Sequence, residues 1–224
     1  MKREISIIIP TKNEPYIGTL IERLRKEFGN NLEIIVIEKG KELPKVKAKV
    51  VRQRTTGLGN AFLEALKYTH GDIIANMDGD GSHRPEDLKK MIVKIDNADL
   101  VIGSRFVHGG KTKDVQHRQL VSLLTRKSAS FIMGINIKDS TSGFFVVKRK
   151  VLEKLRIRKV LGYKIIFPLV YGAKQNNFRM KEVPITFVGR QSGTSHVSAF
   201  KLSGIKEVYN ELKMSILLRL GLYY

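Results

Sequence analysis

Two carboxylates separated by one glycine, Asp78-Gly79-Asp80, stand at the centre of the stretch GDIIANMDGDGSHRPED, residues 71–87. Paired carboxylates are hard oxygen ligands, suited to Mg²⁺ or Mn²⁺ held jointly with substrate phosphates. Gly79 lets the backbone turn and lets a ligand come close. The alternative is a solvated turn, since Asp and Gly are both common turn residues. The surroundings favour a site. Asp72 to Met77 is a short apolar run of the kind a buried parallel strand gives, and the pair falls at its carboxyl end, where open α/β sheets bind ligands. Beyond it, Pro85 suits a first helical position and Glu86 and Asp87 suit the positive helix start. Leu88, Met91, Ile92 and Ile95 then repeat at helical spacing. The expectation is a metal–diphosphate site on a strand–loop–helix unit.

The rest of the chain supplies elements that could hold such a site. Glu4 to Ile9 reads as a buried strand stopped by Pro10, and Ile17, Leu20, Ile21, Leu24 and Phe28 form the apolar stripe of a helix. Leu32 to Ile37 predicts a second buried strand, Val50 to Gln53 a short extended piece, and Gly57-Leu58-Gly59 opens a helix with Ala61, Phe62, Ala65 and Leu66 inward. Asp99 to Gly103 is the next strand. Strands alternating with helices of this length predict crossover units in a mostly parallel sheet. After Ser104 the pattern changes to a helix carrying Leu120, Leu123, Leu124, Phe131 and Ile132, then a strand over Thr141–Val147 and a short helix over Val151–Leu155. A buried helix over Tyr163–Ala173 and an edge strand over Phe178–Val188, which contains Pro184, follow. In the last segment Ile205, Val208, Tyr209, Leu212 and Ile216 are expected on one apolar face, and MSILLRLGLYY suits a membrane interface, a partner or a second copy.

Composition limits the partners. A chain of 224 residues with 42% hydrophobic and 28% charged residues is globular rather than disordered. There is no cysteine, which excludes disulfides and thiolate metal sites. No stretch approaches the eighteen or so apolar residues of a spanning helix, so the chain is not expected to cross a membrane on its own. Against 21 Asp and Glu stand 41 Lys and Arg, a net charge of +20 that calls for an anionic partner. Nucleic acid is disfavoured, because Trp is absent, aromatics are 8%, and no base-stacking module appears.

Seven motifs stand in order along residues 5–198: PTKNE (10–14), GLGNA (57–61), MDGDGSHRPEDL (77–88), GSRF (103–106), DSTSGFF (139–145), GYK (162–164) and EVPITFVGRQSGTS (182–195). Together they resemble the dolichol-phosphate mannose synthase branch of the glycosyltransferase A superfamily. The resemblance implies a single Rossmann-like α/β domain over residues 1–198, with 199–224 as an appended amphipathic helix. It implies an inverting transfer of a hexose from a nucleotide-sugar to a polyprenyl (dolichyl) phosphate, with Mg²⁺ or Mn²⁺ bound by Asp78 and Asp80. GDP-mannose is the first expectation for the donor and UDP-glucose the second. Pro10 through Glu14, with Lys12, would hold base and ribose, and Ile37 and Lys39 would face the nucleotide. Gly79 and Ser82 would lie at the metal loop. Arg105 and Arg190 would contact phosphates, and Arg118 and Ser122 the acceptor phosphate. The expected location is the cytoplasmic face of a membrane, peripherally or docked by a separate membrane subunit.

Three positions depart from the family pattern. Ile37-Glu38-Lys39-Gly40 puts a lysine where a carboxylate would face the nucleotide, Ser82 replaces a glutamine, and Ser195-His196 replaces a Ser-Lys pair. An acceptor phosphate is largely ionised at neutral pH and needs no general base. A hydroxyl acceptor would need one, and Asp139 is the reserve candidate, with a turn-capping role as the alternative. His83, His117 and His196 are candidate proton carriers, although a lone histidine is more often structural. The remaining reading is a non-catalytic basic binding protein with a degenerate nucleotide site.

Overall fold

The computed structural model describes residues 4–30, 32–113, 116–161, 163–191 and 202–223. The two apolar runs near the N-terminus form β1 (Ile5–Thr11) and β2 (Leu32–Glu38), each buried almost throughout, which explains their lack of alternation. They pair in parallel from Ile5↔Leu32 to Thr11↔Glu38, so Thr11 and Glu38 emerge side by side at the carboxyl end. Beyond β2 lies β3 (Lys49–Arg52), and on the other side of β1 lies β4 (Ile73–Asn76), both parallel to their neighbours. Two of the connections are helical, since α1 (Ile17–Phe28) follows β1 and α2 (Leu58–Ala65) follows β3, while β2 reaches β3 through a loop.

The second half completes the sheet with α3 (Pro85–Lys94), β5 (Leu100–Ser104), β6 (Lys111–Thr112), α4 (Gln116–Met133), β7 (Phe145–Lys148) and α5 (Arg149–Leu155). It ends with α6 (Ile166–Gln175), β8 (Met180–Pro184), β9 (Thr186–Phe187) and α7 (Leu202–Arg219). The seven-stranded sheet runs β3-β2-β1-β4-β7-β5-β8, with β6 and β9 in a separate two-stranded ribbon. β7 is antiparallel to both β4 and β5, and the other pairs are parallel. The architecture is therefore a single α/β domain with a mostly parallel sheet. β8 is an edge strand, as Pro184 suggests.

Both faces of the sheet are covered. Leu20 and Leu24 of α1 and Leu88 and Met91 of α3 pack on one face with Ile7, Ile9 and Val36. Phe62 of α2, Phe167 of α6 and Met214 and Leu218 of α7 pack on the other, where Phe62 meets Phe145 edge to face at 5.2 Å. Two sequence expectations need correction here. Phe131 of α4 is 89% exposed, and Ala129 and Met133 turn inward instead. Among the described side chains of α7, Glu211, Met214, Ser215 and Leu218 are buried, while Tyr209 and Ile216 face outward. The apolar side chains of that helix exceed what one face can hold, and packing against α4 and α6 selects the narrower set. Among the described residues no helix is long and apolar enough to cross a membrane.

Candidate active site

Because β1, β2, β3 and β4 are parallel and in register, their carboxyl ends open onto one edge, and a cavity of about 480 Å³ lies there. Pro10, Lys12, Glu14, Lys39, Asp78, Gly79, Asp80 and Arg190 line it, together with Thr11, Gln53, Gly57, Leu58 and Tyr163. Asp78 and Asp80 mark its β4 end, and Lys39 and Gln53 its β2–β3 end. Successive strands stand about 4.8 Å apart, so the cavity spans a distance suited to an extended nucleotide.

The loop after β4 is held from three sides. His83 Nδ1 accepts a hydrogen bond from the Asp78 backbone N–H at 3.0 Å, and its ring stacks on Phe144 at 4.5 Å and meets Phe187 edge-on. The acceptor role of Nδ1 puts the ring proton on Nε2. His83 is buried and serves as a strut under the loop, which replaces its expectation as a proton carrier. Ser82 is fully buried, and both its backbone N–H (3.0 Å) and its hydroxyl (2.5 Å) donate to Asp80 Oδ1. From the third side comes the segment after β9, whose Gln191 N–H donates to Asp80 O and whose Val188 N–H donates to Ser82 O. Asp87, in the first turn of α3, fastens the same arm by accepting from Thr186 N–H at 3.0 Å.

That arm delivers Arg190, whose guanidinium bridges Glu14 Oε2 at 2.5 Å and Asp80 Oδ2 at 3.1 Å. Asp80 therefore already draws a cationic group to the free side of its carboxylate. Asp78 is more open, with its side chain 40% exposed. Among the described residues no cluster of three or more His, Cys, Asp or Glu surrounds this point. An ion held by Asp78 and Asp80 would complete its shell with water and phosphate oxygens, the usual arrangement for Mg²⁺. The donor set fits such an ion.

Two other expected site residues, Ile37 and Arg105, do not line this cavity. Ile37 is fully buried in the core beside the sheet. Arg105 turns to Asp139, with Nε to Oδ2 at 2.8 Å and Nη2 to Oδ1 at 2.9 Å, and its backbone N–H also donates to Oδ2. Burial pushes the Asp139 carboxyl up, but the Arg105 guanidinium outweighs it and leaves the group below the ordinary carboxylate range. A carboxylate committed to an arginine in this way is a poor general base, which corrects the reserve role given to Asp139. Arg118 and Ser122 lie on α4, on the far side of the GSRF loop in sequence, in a stretch whose side chains are outside the described set, as is that of His117. Ser195 and His196 also lie outside the described residues.

Residues 6–156 match the family described as Glycosyl transferase family 2. The chain belongs to this family. It is 39% identical over 163 residues to polyprenol monophosphomannose synthase of Mycolicibacterium smegmatis, covering 70% of this chain and 60% of that protein. It is 34% identical over 231 residues to dolichol-phosphate mannosyltransferase of Pyrococcus furiosus, covering 94% of this chain and 62% of that protein. The chain thus spans about three fifths of the length of these curated relatives. Its fold is similar to that of glucosyl-3-phosphoglycerate synthase from Mycobacterium tuberculosis, with a TM-score of 0.71 and 17% identity over 98% of this chain and 79% of that one. The fold is therefore that of the glycosyltransferase A class.

Within this family 2 chain, several site-building residues escaped sequence reasoning. Glu38 is buried at the end of β2, where it accepts from Thr11 Oγ1 at 2.7 Å, from Asn13 N–H at 2.9 Å and from Gly40 N–H. It shapes the PTKNE loop while Lys39 beside it faces the cavity. A Cβ on Gly40 would collide with Asn13 and Glu38, which accounts for the glycine. The available signal was a carboxylate ending an otherwise apolar strand.

Proposed function

We propose that the chain is a metal-dependent, inverting glycosyltransferase that moves a hexose, with mannose the first expectation, from a nucleotide-sugar to a polyprenyl phosphate. The reading rests on the convergence of Asp78, Asp80, Glu14 and Arg190 at one end of the cavity. The names of the curated relatives support mannosyl transfer to a polyprenyl carrier. Asp78 and Asp80 would hold Mg²⁺ or Mn²⁺, and the ion would supply neutralising charge to a diphosphate.

The protein's own groups account for the remaining work. Pro10 to Glu14, shaped by Glu38, and Lys39 bind the nucleoside portion along the ends of β1 and β2. Arg190 can exchange its carboxylate partners for the oxygens of the departing diphosphate, which its planar fork suits. The sugar C1–O bond to the diphosphate breaks as an acceptor phosphate oxygen forms a new bond on the opposite face of C1. The acceptor is already ionised near neutral pH, so no side chain must remove a proton, and positioning and exclusion of water dominate. Arg118 and Ser122 on α4 are the candidate pair for the acceptor phosphate, and Arg105, which Asp139 holds, is the candidate for a further phosphate contact. The proposed setting is the cytoplasmic surface of a membrane, bound peripherally through basic residues.

The test is to incubate the protein with Mn²⁺, dolichyl phosphate and radiolabelled GDP-mannose or UDP-glucose. Labelled lipid from one donor, abolished by Asp80→Asn, is the expected result. No labelled lipid from either donor, with a working positive control, overturns the reading.

A further inference from the structure

The hydroxyl of Tyr223 lies far along the chain from every motif, yet it grips the segment that leads to the cavity wall. Its oxygen donates to Lys159 O at 3.0 Å and accepts from Leu161 N–H at 3.0 Å. Between those two residues, Val160 is held from the other side by Asn60 of α2. Asn60 Nδ2 donates to Val160 O at 3.0 Å, and its Oδ1 accepts from Val160 N–H at 2.8 Å. The fit is close, since a Cβ on the neighbouring Gly59 would meet Val160 at 2.7 Å. Two residues after Leu161 comes Tyr163, which lines the cavity with Gly57 and Leu58 from the start of α2.

The route by which Tyr223 arrives is itself specified. After α7, Leu222 N–H donates to Leu217 O and Gly221 N–H to Leu218 O, with Gly221 at φ +71, a helix-ending turn that glycine favours. Leu220 and Leu222 stay exposed while the Tyr223 ring is turned inward. Burial pushes the Tyr223 hydroxyl up from its ordinary value, so it remains a proton donor throughout the neutral range.

We propose that Tyr223 is a positioning residue for donor binding: its hydroxyl, opposite Asn60, fixes residues 159–161 and so sets Tyr163 against the nucleotide. The C-terminal turn of α7 is thereby coupled to the donor cavity, and whatever engages the outer face of α7 acts on nucleotide affinity. This inference rests on the donor-site reading proposed above.

The experiment is calorimetric titration of the full chain with GDP and with UDP, each with Mn²⁺, for wild type, Tyr223→Phe, Tyr163→Ala, the double variant and Leu222→Ala. Tyr223→Phe keeps the ring and is expected to weaken the preferred nucleotide about threefold to tenfold, as loss of one or two hydrogen bonds acting on the wall would. Leu222→Ala is expected to bind as wild type. In the Tyr163→Ala background, Tyr223→Phe should have no further effect, because the two residues share one route. Additive losses, or a lower melting temperature in Tyr223→Phe with unchanged affinity, would overturn the coupling and leave the hydroxyl as a staple for the tail. Wild-type protein that binds neither nucleotide would overturn the donor-site reading together with this inference. Wild-type binding matched by Tyr223→Phe would overturn this inference alone.

Discussion

Ser82 illustrates how a small side chain can do the work of fixing a larger one. Its hydroxyl and backbone N–H both point at Asp80 Oδ1, leaving Oδ2 to Arg190 in this structure and to the proposed metal ion when one binds. Groups that orient a metal ligand commonly matter by one to two orders of magnitude in metal affinity. Ser82→Ala is therefore expected to weaken Mn²⁺ binding about tenfold, read by electron paramagnetic resonance of free Mn²⁺, with little loss of stability. Asp139 is the opposite case, a fully buried carboxylate paired with Arg105. Asp139→Asn leaves a guanidinium without its charge partner and is expected to cost about 3–5 kcal/mol, measured by urea unfolding. Because Arg105 then loses its anchor, the proposed sugar transfer to a lipid phosphate should fall as well. At this scale the sequence revealed the carboxylate pair, since its position after an apolar run is local information. It did not reveal that Asp139 meets Arg105 or that Glu38 meets Thr11, because those pairs are separated by 34 and 27 residues and depend on the sheet.

Elements are joined at a few charged junctions away from the site. Asp99, just before β5, accepts from the backbone N–H of Arg179 before β8 and pairs with Lys148 at the end of β7 and Lys150 of α5. Burial pushes the Asp99 carboxyl up, but the Lys150 and Arg179 hydrogen bonds and the nearby positive charges dominate and hold it well below the usual range. A carboxyl lowered on folding adds stability that is present above its unfolded pKa of about 4 and is lost as pH falls through the folded value. Asp99→Asn should thus lower stability by about 2–3 kcal/mol at pH 7. The gap from wild type should close steadily below pH 4, as followed by thermal unfolding across pH. The helices and strands themselves were mostly legible. Ile17, Leu20, Ile21 and Leu24 proved buried on α1 as their spacing indicated. Periodicity failed where apolar residues were too many for one face, at Phe131 and along α7, because only the packing partners decide which are covered. It also gave no sign that β7 runs antiparallel, since strand direction is set by the path of the connections.

At the scale of the whole molecule, a net charge of +20 is joined to an exposed stripe made of Lys206, Tyr209, Lys213 and Ile216 on α7 and Leu220 in the turn after it. Basic residues near an anionic membrane contribute about 1 kcal/mol each, and that contribution is screened by salt. The protein is expected to co-sediment with vesicles containing phosphatidylglycerol at low salt and to be released near 0.5 M NaCl. Ile216→Ser with Leu220→Ser should weaken the vesicle binding that survives intermediate salt, and vesicles of phosphatidylcholine alone should retain little protein. Composition announced the charge, but the identity of the outward stripe required the helix to be docked.

The insertion of β7 between β4 and β5 has a consequence for synthesis on the ribosome. The nascent chain makes β4 and β5 first, yet neither has its shared neighbour until Phe145–Lys148 has emerged. Until then both strands present unpaired edges, which are prone to wrong association. Ribosome-stalled chains ending before residue 145 should be readily cleaved between β4 and α4, and chains extended past β8, with β5 then paired on both sides, should resist the same protease better. A sheet whose halves are locked together by a late strand delays its own closure until the second half has been made.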